Sequence, residues 1–243
     1  MRVELKDFQE EYVDQLSAAA LDAAARSLKD PRKLQTISFS APTGAGKTVM
    51  IAAVIENILE SSEVVDGQEV TFLWLSDQLP INAQSMARLA AVSDVLGELG
   101  RLILVDQRFD QETFDAGTVS FLNVQKLRTD AKLTTGSNKR RYTVWETINN
   151  TINSRSGPFF MIVDEAHRGV KGFRNGWRPT IVSKFLFGRE EIAAIPIVIG
   201  MSATPSRFEE AVREGGRGPR VAIDVKADKV RESGLIKDRI VLR

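Results

Sequence analysis

Short apolar runs recur along the chain between segments of helical or loop character. Val70-Thr-Phe-Leu-Trp-Leu75, Arg101-Leu-Ile-Leu-Val105, Pro158-Phe-Phe-Met-Ile-Val163 and Ile195-Pro-Ile-Val-Ile199 have the length and content of buried strands. Thr36-Ile-Ser-Phe-Ser40, Thr118-Val-Ser-Phe-Leu122 and Val221-Ala-Ile-Asp-Val225 read as further strands. Between them, Val49 to Leu59 reads as a buried helix, and a second helix contains Gln84 and Ser85. An alanine-rich helix runs from about Asp7 to Leu28 and stops before Asp30-Pro31, because the residue before a proline avoids helical angles. Strands alternating with helices predict an α/β fold, a mostly parallel sheet with helices on both faces. No internal repeat is visible.

Two segments break the alternation. Residues 128–157 hold the polar, basic stretch Thr134-Thr-Gly-Ser-Asn-Lys-Arg-Arg141, then Tyr142 to Ile148, which has helical character. A long irregular stretch inside a compact domain is usually functional or disordered. In one reading Lys139, Arg140 and Arg141 touch phosphates while Tyr142 or Trp145 stacks on a base. In the other, which suits the aromatics better, the loop is solvated and Trp145 packs inward. The second segment, Arg168-Gly-Val-Lys-Gly-Phe-Arg-Asn-Gly-Trp-Arg178, carries cations for nucleic acid or a neighbouring domain, or is a surface loop.

The strand at 36–40 runs directly into Ala41-Pro-Thr-Gly-Ala-Gly-Lys-Thr48, which opens a helix. Strand, glycine-containing loop and helix are the setting of a phosphate-binding loop. Gly44 and Gly46 permit backbone angles that a side chain would obstruct. The N–H groups of Thr43, Gly44, Ala45 and Gly46 then turn toward phosphate oxygens, with the helix N-terminus adding its dipole. Lys47 would meet the outer phosphates and Thr48 would offer a hydroxyl to magnesium.

The run at 158–163 delivers Asp164-Glu-Ala-His167 at its C-terminal end. In open α/β sheets, ligands sit outside the carboxyl ends of the strands. Asp164 suits magnesium, directly or through water. Glu165 can orient and deprotonate an attacking water, and with Asp164 and Lys47 forms the expected catalytic set. Phosphoryl transfer depends mainly on such positioning and charge neutralisation. His167, the chain's single histidine, lies inside this motif.

These residues resemble the superfamily 2 helicases and translocases of the DEAD/DEAH type, and within them the branch of the type III restriction enzyme motor subunit. The resemblance covers nearly the whole chain. It implies a RecA-like domain binding ATP and magnesium, with Gln9, in Leu5-Lys-Asp-Phe-Gln9, reading the adenine edge. It makes Met201-Ser-Ala-Thr-Pro205 the motif coupling hydrolysis to strand movement, through Ser202 and Thr204 with His167. Ser76, Gln84, Ser85, Asn123 and Gln125 match positions that hold the sugar-phosphate backbone of one strand, residue types suited to sequence-blind contacts. Val230-Arg-Glu-Ser-Gly-Leu-Ile236 resembles the segment that leaves the first motor domain.

Composition narrows the partners. The formal net charge of +1 gives no global field to attract nucleic acid, so any groove for it is local. The absence of cysteine rules out disulfides and thiolate metal sites. No apolar stretch reaches the ~18 residues of a membrane span, and Glu4, Lys6 and Asp7 interrupt any signal-like N-terminus. A cytoplasmic protein without a membrane partner is expected.

Family motors use two RecA-like domains with ATP between them, the second supplying arginines. Residues 1–243 are expected to hold the first, with its helix and glutamine motif at 1–30, and not the second. Gly215-Gly-Arg-Gly-Pro-Arg220 superficially resembles the late arginine motif, but no second sheet precedes it, and it reads as a glycine-rich loop. The expected protein is an ATP hydrolase of helicase type, nearly inactive as this chain alone, acting on DNA rather than RNA with a second RecA-like domain. Two alternatives remain: a nucleotide-dependent regulatory module that binds nucleic acid without moving, and a P-loop phosphotransferase, against which the Gln9 and Met201–Pro205 motifs argue.

Overall fold

The computed structural model describes residues 1–30, 32–61, 70–77, 79–127, 133–136, 140–154, 156–166, 180–189, 192–217 and 220–235. His167, Lys139 and the 168–178 segment lie outside them.

Seven strands form one sheet: β1 (Gln35–Ser40), β2 (Thr71–Ser76), β3 (Leu102–Leu104), β4 (Val119–Asn123), β5 (Phe159–Val163), β6 (Ile197–Ser202) and β7 (Arg220–Asp224). Their order is β3-β4-β2-β5-β6-β1-β7, and every pairing is parallel. Parallel neighbours need crossovers, and helices supply most of them. The helices are α1 (Asp7–Lys29), α2 (Lys47–Glu60), α3 (Leu79–Val92), α4 (Val144–Ser154), α5 (Ile181–Phe187), α6 (Ser206–Glu214) and α7 (Ala227–Glu232).

Each face of the sheet is covered. On one, Phe39, Trp74, Phe121, Phe160 and Ile199 pack under α1, α2 and α3. On the other, Leu73, Leu75, Met161, Val163 and Val198 pack under α4, α5 and α6. Burial on both sides explains the continuous apolar runs of β2 and β5. Gly200 in β6 is needed for this packing: a Cβ there would come within 2.4 Å of the Phe208 ring, which seats α6 directly on the sheet.

One expectation changes. Arg101–Val105 does form a strand, but β3 lies at the sheet edge and Leu104 is 44% exposed. An apolar run shows that a strand has partners, not how many. The 128–157 segment is irregular only in part, since α4 fills its second half. Trp145 packs inward, its ring 5.3 Å from that of Phe185. Among the described residues, no helix is long and apolar enough to cross a membrane.

Candidate nucleotide site

The C-terminal ends of β5, β6 and β1 stand side by side, and each delivers a motif. From β1 the chain enters the loop at Ala41, whose N–H donates to the Ser202 carbonyl at 3.2 Å on the neighbouring end of β6. Asp164 follows β5 and donates its N–H to Leu75 at 2.9 Å. Ser202 is buried and its hydroxyl accepts from the N–H of Thr204 at 2.9 Å, giving the Met201–Pro205 turn its shape.

Gly44 and Gly46 both sit at φ 86°, in the left-handed region that side chains rarely adopt. At Gly46 there is a second reason for glycine. A Cβ would lie 2.6 Å from the side-chain nitrogen of Gln9. That nitrogen donates to the Ala45 carbonyl at 2.9 Å, while the Gln9 oxygen accepts from the N–H of Lys6 at 3.0 Å. Gln9 is buried and bridges the start of α1 to the loop. Each end of its amide is used once, which leaves capacity for one further donor and one acceptor contact.

Lys47 opens α2 and its ammonium donates to the Ala41 carbonyl at 2.9 Å. Partial burial holds its pKa below the usual lysine range, and the negative charges of Glu165 and then Asp164 offset part of that drop. The loop lysine and both acids of the second motif therefore share one electrostatic neighbourhood. Glu165 has φ 52° and is the one non-glycine residue at positive φ among the described residues. Such angles cost ~1–3 kcal/mol and collect at functional sites.

These features fit a nucleoside triphosphate with magnesium. The glycine backbone leaves room that a side chain would fill. The Thr48 hydroxyl and Asp164 carboxylate are hard oxygen donors, the kind magnesium takes when phosphates and water complete its shell. No cluster of three or more His, Cys, Asp or Glu side chains exists among the described residues, so a cage made wholly of protein ligands is not present there.

The sequence-expected nucleic-acid positions separate into two kinds. Ser76 and Asn123 end the adjacent strands β2 and β4 and are paired in register, but both side chains are buried. Ser76 donates to Asn82 at 2.5 Å, and Asn123 accepts from the N–H of Gln125 at 2.9 Å. Ser85 is also buried, whereas Gln84 and Gln125 are exposed. The basic triplet is partly consumed by the fold: the Arg140 guanidinium donates to the Gln107 carbonyl at 2.6 Å, and the N–H groups of Arg141 and Tyr142 donate to Asp110.

Arg217, in the glycine-rich loop, sits at the start of β1, at the other end of that strand from the 41–48 loop. It is 5% exposed. Its guanidinium donates to the Thr36 hydroxyl at 2.6 Å, to the carbonyls of Gln35 at 3.1 Å and Ile195 at 2.6 Å, and to Leu186. Burial pushes its pKa down to about 9, so it keeps its proton at neutral pH. The sequence offered one clue to this polar side of the core. Thr36, Ser38 and Ser40 alternate with Ile37 and Phe39, and all three are buried.

The sequence profile of the type III restriction enzyme res subunit matches residues 2–207. The chain belongs to that family. Comparison with the curated proteins gives no significant match. Among solved structures, a nuclease-deletion mutant of the Type ISP restriction-modification enzyme LlaGI, in complex with a DNA substrate mimic, superposes with a TM-score of 0.52 at 13% identity, over 97% of this chain and 21% of its own. The DUF1998 helicase MrfA bound to DNA and AMPPNP gives 0.47 at 16% identity, over 92% of this chain and 30% of its own. The chain thus spans under a third of the length of either. The likeness to LlaGI places the fold with the RecA-like domains of helicase-type enzymes.

Proposed function

We propose that this chain is the ATP-binding motor domain of an ATP-dependent DNA helicase or translocase, working in the cytoplasm as the first of two RecA-like domains. The observation that carries it is the half-buried Lys47, held on the phosphate loop within the field of Glu165 and Asp164. A restriction-enzyme family favours DNA over RNA as the polymer.

In this mechanism the loop N–H groups from Thr43 to Gly46 bind the phosphates. Lys47 leaves the Ala41 carbonyl for the outer phosphates. Thr48 and Asp164 would hold the magnesium ion, which when bound neutralises charge on those phosphates. Glu165 orients the attacking water and takes its proton. Gln9 meets the adenine edge with its remaining amide capacity. Ser202 and Thr204, with His167, relay the nucleotide state to a DNA strand. Gln84 and Gln125 face that strand, while Ser76, Ser85 and Asn123 shape the strand ends beneath it.

An arginine supplied from a second domain contributes ~10³–10⁵ in rate in other nucleotide hydrolases. The isolated chain is therefore expected to bind ATP weakly and turn it over very slowly. The test is ATP hydrolysis by the chain and by a polypeptide that adds a second RecA-like domain, each with single- and double-stranded DNA and RNA. DNA-stimulated turnover confined to the two-domain form is expected. Robust turnover by the chain alone overturns the division of labour. ATP binding without stimulation in either form replaces the motor with a nucleotide-dependent regulatory module.

A further inference from the structure

The hydroxyl row on β1 has more in it than core filling demands. β1 is the strand that ends in the phosphate loop, and it has a covered face on each side. Its Ile37 and Phe39 side is apolar, yet the other side carries Thr36, Ser38 and Ser40, at 2%, 4% and 6% exposure. Each of these hydroxyls goes to a different element. Thr36 accepts from Arg217, in the turn after α6. Ser38 donates to a carboxylate oxygen of Glu209, within α6, at 2.7 Å. Ser40 donates to Asp224, at the end of β7, at 2.9 Å.

We infer that Glu209 is a positioning residue that links the phosphate loop to helix α6 through Ser38, so that nucleotide binding at 41–48 orders the segment 206–214. The inference rests on the nucleotide reading of the site. α6 begins directly after the Met201–Pro205 turn, and its Phe208 is seated on Gly200, opposite Ser38 in the register of β6 and β1. Ser38 lies three residues before Ala41, whose carbonyl holds Lys47. When a phosphate occupies the loop, the end of β1 is held by the ligand as well as by its neighbours, and the Ser38–Glu209 bond carries that restraint to α6.

The surroundings let this contact break and re-form. A groove of about 410 Å³, open to solvent, is lined by Thr36, Ser38, Glu209 and Arg213 beside it. A carboxylate released from Ser38 is therefore hydrated rather than stranded, which avoids the cost of an unpaired buried charge. The Arg217 end of the row is the fixed point, since its guanidinium is enclosed by carbonyls. The row is thus anchored at one end and adjustable beside the loop.

Amide hydrogen exchange with and without magnesium and AMPPNP tests this on the chain itself, in the wild type and in Glu209→Ala, Ser38→Ala and Glu209→Gln. In the wild type, exchange is expected to slow several-fold both at 41–48 and at 206–214. Glu209→Ala and Ser38→Ala should keep the first effect and lose the second, and Glu209→Gln, which still accepts a hydrogen bond, should keep both. Slowing at 206–214 that survives both alanine variants, or that is missing from the wild type, overturns the inference. No slowing at 41–48 in the wild type removes the nucleotide reading, and this inference with it.

Discussion

Gln9 donates its side-chain amide to the carbonyl of Ala45 at 2.9 Å, fastening helix α1 to the phosphate loop across 36 residues of sequence. The same side chain accepts from the N–H of Lys6, so one amide ties the loop to the helix start. Gln9→Ala is expected to weaken AMPPNP binding about tenfold, the equivalent of one buried hydrogen bond at about 1.4 kcal/mol. Titration calorimetry measures this, and unchanged affinity would show that the loop needs no such brace.

Lys47 and Glu165 should separate binding from turnover. Lys47→Ala removes the cation from the outer phosphates, so AMPPNP binding should be lost. Glu165→Gln should leave that binding within about twofold and lower hydrolysis in the two-domain form by ~10²–10⁴, the usual contribution of a positioned base. Normal hydrolysis by Glu165→Gln would assign the base elsewhere.

Arg217→Ala strands the Thr36 hydroxyl and the carbonyls of Gln35 and Ile195, at the approach to β1 and β6, and that of Leu186 in α5. Leaving these buried acceptors without their donor costs about 1–3 kcal/mol. Urea denaturation should show that loss. A change below about 1 kcal/mol would mean that water replaces the guanidinium at this end of the sheet.

Asp110 gives a pH signature. Backbone N–H groups of Tyr142 and Arg141 hold its carboxyl below the usual aspartate range. Its contribution to stability is then present above the ordinary aspartate pKa and is lost as pH falls through the lowered value. Asp110→Asn should melt earlier than wild type at neutral pH, and the difference should shrink toward zero in acid. A difference independent of pH would assign it to packing rather than to ionisation.

Much of the fold was legible because it is written locally. β2 and β5 are buried on both faces, so Phe72–Leu75 and Phe159–Val163 are unbroken apolar runs, and the phosphate loop is contiguous from Ala41 to Thr48. What escaped the sequence depends on pairing. Nothing in Leu102-Ile-Leu104 states that β3 has one neighbour rather than two. Ser38 and Glu209 are 171 residues apart, and Thr36 and Arg217 are 181 apart, so neither partner announces the other. The polar alternation of Thr36, Ser38 and Ser40 stands in the sequence, but it does not name the partners of those hydroxyls.

The order of the strands also sets a length scale. From β4, where Asn123 stands, to β1, where the phosphate loop begins, the sheet takes four steps through β2, β5 and β6. At ~4.8 Å per step that is roughly 19 Å. A triphosphate over β1, β6 and β5 and a polymer over β2 and β4 would therefore lie alongside one another without competing for space. The two ligands would share a rigid floor but no atoms, so whatever passes between them has to pass through the protein.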